Sequence, residues 1–260
     1  MDATLATLVR QHDPDRFFTA LFAPPEQRGA LLVLYAFNHE LARAREVTSE
    51  PTLALIRLQW WREIVDGAAR QHEVATPLAA AIANGALQRT DLHALIDARE
   101  IEAEHEIATL EAWRGYVLAG AGGLAVAAAR LLGAPEPEAL RPLGAAYGVA
   151  GLLRSVRVLA VHGRCLLPVD LLEAQGLSKE AMIAAPGSAP VQAVLARLAD
   201  EGRALLRQGQ AVPVPRGAIA AALPLVLARR DLARWPRLAP AQRGIGDRLA
   251  VTVAGLRRRL

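Results

Sequence analysis

Apolar residues recur at three- and four-residue spacing along almost the whole chain, and alternating runs of β-branched residues do not occur. That periodicity predicts helices and no strands, because a helix gathers positions three and four apart onto one face. Prolines and glycines punctuate the pattern at plausible helix ends. Pro24 and Pro25 open a helix whose apolar stripe runs through Leu31, Leu34, Tyr35, Phe37 and Leu41, and Ser49-Glu50-Pro51 breaks it. A second helix follows through Ile56, Trp60, Ile64 and Val65. Further helices are predicted over 77–82, 91–104, 110–132 and 137–160, then over 169–174, 191–206, 216–233 and 240–258. The connectors at 184–190 and 208–215 are ordinary in length and composition. With no low-complexity linker and no internal repeat, the expectation is one all-α domain, a helical bundle spanning 1–260. The longest apolar runs, 117–129 and 217–228, fall short of the roughly 20 residues that cross a bilayer and read as buried core helices.

Composition sharpens this picture in a few places. The chain has 260 residues, 53% of them hydrophobic and only 4% aromatic. Alanine and leucine dominate, and both enter a helix at little entropic cost. A chain of this length buries a sizeable core without staples. Cys165 is the lone cysteine, so it forms no internal disulfide, fits a reducing compartment and reads as a small buried hydrophobe. The formal net charge is +4, carried almost entirely by arginine, with Lys179 the only lysine. Arginine suits bidentate contacts to phosphate or carboxylate, although a GC-rich genome yields the same bias. A charge this small, without a recognition motif, excludes nucleic acid as a partner. The N-terminal residues include Asp2, Arg10, Asp13 and Asp15 without an apolar core, so no secretory signal is expected. The cytoplasm, with peripheral contact to the inner membrane, is the expected location.

Two blocks near the start, Phe18 to Arg28 and Leu34 to Phe37, resemble the opening of squalene and phytoene synthases, and Leu58-Gln-Trp-Trp-Arg-Glu63 resembles that family's tryptophan-arginine helix. Later, Gly151-Leu-Leu-Arg154 through Gly163-Arg164-Cys-Leu-Leu-Pro168 is similar to its second signature and glycine-arginine tail. The blocks come in the family's order and cover nearly the whole chain. The resemblance implies the type I isoprenoid synthase fold, helices around a central cavity. It also implies two aspartate motifs, Asp-Asp-x-x-Asp and Asp-x-x-x-Asp, whose carboxylates hold the magnesium ions that neutralise a departing diphosphate. Here the first motif falls on Ala42, Arg43 and Glu46, and the second on Ser155 and Leu159. Glu46 is the one carboxylate left in register, and alanine and leucine cannot ligate a metal. Neither a cofactor nor ordinary phytoene or squalene synthesis is therefore expected, and magnesium only if a synthase activity has been overlooked. The run Phe37 to Glu50 is similar to a divergent branch of the family that contains a mitochondrial respiratory complex I assembly factor. This resemblance implies a non-catalytic helper of membrane-complex biogenesis, partnered by a complex subunit, in a bacterial relative without a presequence. An unusual prenyl-diphosphate transferase and a carrier of an isoprenoid or other lipid stay open beside it.

The candidate residues have competing readings. Glu40, Arg43, Glu46 and Glu50 are either solvated helix residues joined by ion pairs three apart or the remnant of a cavity mouth. Arg154 and Arg157 either bind an anionic head group through bidentate hydrogen bonds or pair with Glu40 or Glu46 across the cavity, next to Ser155. Of the adjacent Trp60 and Trp61, about 100° apart on a helix, one belongs to the core and the other lines a groove or the surface. Arg57 and Arg62 either reach the cavity or snorkel to solvent. Trp61 joins Arg57 and Arg62 as a ligand-binding candidate. His162 reads as a helix-end residue, His105 as part of a solvated acidic face, and Arg257 to Arg259 as a frayed tail or a lipid contact. Asp97 and Arg99 resemble the family's helix in their region, without an assigned role. No serine-histidine-aspartate order, phosphate-loop glycine pattern or cysteine zinc motif competes.

Overall fold

The computed structural model describes residues 3–46, 50–103, 106–209, 214–236 and 243–258. They form fifteen α-helices: α1 (Ala3–His12), α2 (Pro14–Ala20), α3 (Pro25–Glu46), α4 (Pro51–Asp66), α5 (Ala75–Ala83), α6 (Arg89–Ala103), α7 (Leu110–Val117), α8 (Gly123–Leu131), α9 (Arg141–Val161), α10 (Val169–Glu173), α11 (Lys179–Ala184), α12 (Ala189–Gly209), α13 (Ile219–Ala222), α14 (Pro224–Arg234) and α15 (Ile245–Arg257). Among the described residues there is no strand, only an isolated bridge between Ile107 and Pro168.

Local chemistry sets several of these boundaries. Pro51 supplies the preset first turn of α4. Gly67, in the left-handed region at φ 117°, ends it while its N–H bonds back to the last carbonyls. The Asp13 carboxylate caps α2 by accepting from the Arg16 backbone N–H at 3.1 Å, ahead of Pro14 in the first helical position. The predicted stripe of α3 is buried as expected: Leu31, Leu34, Phe37 and Leu41 pack with Trp61 and Ile64 of α4 and Leu95 and Ile96 of α6. A second cluster gathers Trp113 of α7, Val149 and Leu153 of α9 and Val194 and Leu198 of α12.

Three expectations need correction. The span 110–132 is not one helix: between α7 and α8 the chain widens into a π turn over Leu118–Gly122. A Cβ on Gly122 would lie 2.8 Å from the Arg141 carbonyl, and one on Gly148 would lie 2.5 Å from the Ala121 Cβ. The widened turn and α9 therefore approach backbone to backbone, which a regular helix carrying larger side chains would prevent. The span 216–233 breaks before Pro224, which cannot donate the next backbone bond, and gives a short 3₁₀ turn, α13 and α14. Helices α1, α2 and α11 were not anticipated, because segments of six to ten residues hold too little periodicity. Residues 240–242, the start of the predicted last helix, and His105 lie outside the described residues.

The stretch Pro137–Val161 is also long and apolar enough to cross a membrane by length and composition, a span that the apolar runs in the sequence did not single out. In this structure most of it is α9, packed against α8, α12 and α14.

Candidate functional site

A cavity of about 280 Å³ opens among α3, α6, α7, the π turn, α9 and the α1–α2 junction. Its polar lining comprises Asp13, Arg16, Asn38, Arg99, Tyr116, Tyr147 and Ser155, and its apolar lining includes Val117, Ala121 and Leu152. Gly148 and Gly151 of α9 and Gly120 of the π turn contribute bare backbone to the wall. Space is left because these positions carry no side chain where two helices come close.

Polar residues reach the interior by sharing a helix face with the core. Asn38 follows Leu34 by four residues on α3, and Arg99 and Glu102 follow Leu95 by four and seven on α6. Around Glu102, which is buried, they form one network. Its carboxylate accepts from Arg99, from Arg164 Nη2 at 2.8 Å and from the Tyr116 hydroxyl at 2.8 Å. Arg99 Nη2 also donates to Asn38 Oδ1 at 3.2 Å, and Arg45 Nε to the Glu102 carbonyl at 3.2 Å. Burial alone would raise the Glu102 carboxyl, but the Arg99 and Arg164 guanidiniums outweigh it and hold it below its ordinary value. Burial, reinforced by the Glu102 charge, pushes the Tyr116 phenol well up, so it stays a neutral donor.

A second network closes the other side. Arg16 Nη1 donates to Asp13 Oδ2 at 2.7 Å, and its guanidinium lies 4.9 Å from the centre of the Tyr147 ring. The Tyr147 hydroxyl donates to Asp15 at 3.1 Å, and Asp15 also accepts from Arg243 Nε at 2.9 Å. Arg243 Nη1 reaches Asp231 at 2.6 Å, and Arg154 Nη1 lies 3.6 Å from Asp231 and 3.9 Å from Asp15. Arg16 keeps its charge despite burial because Asp13 stabilises it.

Of the residues singled out from the sequence, Ser155 lines the cavity, with its hydroxyl donating to the Leu152 carbonyl at 3.1 Å. Glu40 is buried and binds Arg43 Nη1 at 2.8 Å within α3. The Glu46 side chain lies outside the described residues. Arg154 meets Asp15 and Asp231 rather than Glu40, since α9 turns it toward α2 and α14. Arg157 is exposed and its guanidinium rests beside Gly187. Three of the ligand-binding candidates stand away from the cavity. Trp61 is core, with its ring edge-on to Phe37 at 5.5 Å, while Trp60 stays half-buried. Arg57 projects from the outer face of α4. Arg62 bridges to Asp97 and Glu100 of α6 at 2.8 and 2.7 Å, outside the cavity. What the sequence reading missed is Asn38, Arg16, Tyr116 and Tyr147. A polar residue in register with an apolar stripe was the available signal for Asn38, and equally for Arg99 and Glu102.

The arrangement is suited to hold an anion. The Arg16 and Arg99 guanidiniums, which carry more N–H donors than their bonds to Asp13, Glu102 and Asn38 use, line the cavity with the Asn38 amide. The one carboxylate on the wall, Asp13, is bound by Arg16, and the Tyr116 and Tyr147 hydroxyls already donate to Glu102 and Asp15. Among the described residues no three His, Cys, Asp or Glu side chains converge as a metal site.

Comparison with known proteins places the chain. The squalene/phytoene synthase family model matches residues 9–244. The chain is 27% identical over 181 residues to NADH dehydrogenase (ubiquinone) complex I, assembly factor 6, of Bos taurus, covering 66% of this chain and 54% of that protein. It is 26% identical over the same length to the Homo sapiens protein. The chain thus spans about half the length of these curated relatives. It is 28% identical over 175 residues to presqualene diphosphate synthase of Rhodopseudomonas palustris, covering 62% of this chain and 61% of that one. A dehydrosqualene synthase crystal structure superposes with a TM-score of 0.80 at 13% identity, covering 98% of this chain and 95% of that one. The squalene synthase of Alicyclobacillus acidocaldarius gives 0.65 at 20% identity, covering 98% and 93%. These likenesses show the all-α isoprenoid synthase fold.

Proposed function

The chain belongs to the squalene/phytoene synthase family, and we propose that it is a member without synthase chemistry that assists the assembly of a respiratory membrane complex. The observation that carries this reading is the donor set of the two helices that share the cavity. Helix α3 brings Ala42 and Arg43, and α9 brings Ser155 and Leu159, where the family's chemistry calls for paired carboxylates. Magnesium takes oxygen ligands in near-octahedral array, with one or two carboxylates besides phosphate. The nearby carboxylates Asp13, Glu40 and Glu102 each already bind arginine. A divalent cation would have to displace a guanidinium to use any of them, so magnesium does not fit this set. Similarity to the assembly factor supports the helper role.

The test has two arms. Purified protein given farnesyl or geranylgeranyl diphosphate with magnesium is expected to yield no condensed product, and turnover that depends on Glu46 would overturn the reading. Deleting the gene in the source organism is expected to lower the amount of intact NADH dehydrogenase on native gels of its membranes. A second reading, a carrier of a prenyl diphosphate or similar anionic lipid, is favoured by the polar end of the cavity: Arg16, Arg99 and Asn38 face a space with apolar Val117, Ala121 and Leu152. Binding an uncleaved diphosphate analogue without turnover would support it.

A further inference from the structure

Helix α15 is apolar on two opposite sides. Inward, Val251 packs with Ile219, Leu223 and Leu227, and Gly255 lies against Phe22. Outward, Ile245, Leu249, Val253 and Leu256 are 86, 61, 37 and 74% exposed. At about 100° per residue these four fall within an arc of roughly 80° on the outer face. Arg248 flanks the stripe on one side and Arg257 on the other, both exposed. The helix shows no acid to solvent: its one carboxylate, Asp247, is buried and held by Arg230 at 2.6 Å and Arg234 at 2.9 Å.

A groove of about 470 Å³ runs beside this helix. Arg10 of α1 and Arg248 of α15 stand on its wall, and neither side chain forms an ion pair among the described residues. Phe17, Phe18 and Leu227 add an apolar lining, and Asp15 is already engaged by Arg243 and Tyr147.

We propose that α15 and this groove form a docking surface for an anionic phospholipid bilayer: the stripe enters the headgroup–acyl boundary, and Arg10 and Arg248 hold a lipid phosphate. An exposed apolar stripe needs an apolar partner, and its flanking arginines select a negatively charged one. An interfacial helix combines these two features, with long cationic side chains reaching back to phosphates. A second copy of the chain fits less well, because it would bring the same unpaired arginines face to face. The groove borders the network that closes the central cavity, sharing Asp15 and Arg243 with it. The docking surface nevertheless goes beyond the helper reading, since an enzyme or a carrier could dock in the same way.

Co-flotation of the full chain with vesicles tests it. Vesicles of equal parts phosphatidylcholine and phosphatidylglycerol are expected to carry the protein up the gradient, vesicles of phosphatidylcholine alone to carry much less, and salt to weaken the difference. Arg10→Gln with Arg248→Gln should lower partitioning on the order of thirtyfold, from about fivefold per basic residue near the surface. Leu249→Ser with Leu256→Ser should lower it at least as far while lowering the melting temperature only slightly, through helix propensity, because both side chains are exposed. No flotation with the anionic vesicles, or flotation that neither pair weakens, overturns the proposal. So does a concentration-dependent dimer in sedimentation velocity that the leucine pair abolishes while vesicle binding is absent.

Discussion

Glu102 accepts from two arginines and a tyrosine at once, so its removal strands the buried Tyr116 hydroxyl and two half-buried guanidiniums. Replacing it as Glu102→Gln is expected to destabilise the protein by about 3 kcal/mol at neutral pH, the usual cost of breaking a buried ion pair, read from the urea midpoint. The folded carboxyl lies below its unfolded value. Its contribution is therefore complete above the unfolded value, about 4.3, and is lost as pH falls through the folded one. Acid titration of stability should consequently be flatter in Glu102→Gln than in the parent. Gly29 is the opposite case: it sits inside α3, and a Cβ there would meet nothing within 4 Å. Gly29→Ala should raise stability by about 0.5–1 kcal/mol through helix propensity alone, visible as a higher melting temperature. At this scale the sequence carried more than was read from it. Asn38, Arg99 and Glu102 stand in apolar register, and a polar group there must either find partners or be avoided.

Between elements, α9 and the π turn meet through glycine. A Cβ on Gly144 would overlap the Ala125 Cβ and lie 2.6 Å from the Ala121 carbonyl. Gly144→Ala is therefore expected to cost about 1–3 kcal/mol by overpacking, and thermal unfolding of the variant checks it. A neutral result would mean that the π turn relaxes to a regular helix. The boundaries around α3 and α4 were legible because Pro25, Pro51 and Gly67 act locally, on their own backbone. The π turn was not, since its cause is the approach of a helix more than twenty residues away in sequence. The same distinction explains Trp61, Arg57 and Arg62. Their shared helix was anticipated, but which of its faces meets α3, α6 or solvent depends on how the neighbouring helices cross.

For the whole molecule, the cavity's charge balance sets the expected ligand response. Magnesium alone should leave the melting temperature unchanged. Inorganic pyrophosphate should raise it by binding the folded state only, and Arg99→Lys, which loses the planar fork that also reaches Asn38, should reduce that rise. Differential scanning calorimetry checks all three. A rise with magnesium alone would contradict the donor set described for α3 and α9.

Local and periodic properties of the chain determined that it is helical, where α3 and α4 break, and which family it resembles. They do so because helix propensity, proline geometry and apolar spacing act over a few residues and need no partner. Tertiary structure decided which charges share the interior. Asp15, Arg154 and the pair Asp231 and Arg243 come from three distant segments and meet only when α2, α9 and α14 pack together. It also decided which face of α15 is left uncovered, because a helix apolar on both sides does not specify in its own sequence which side will be covered.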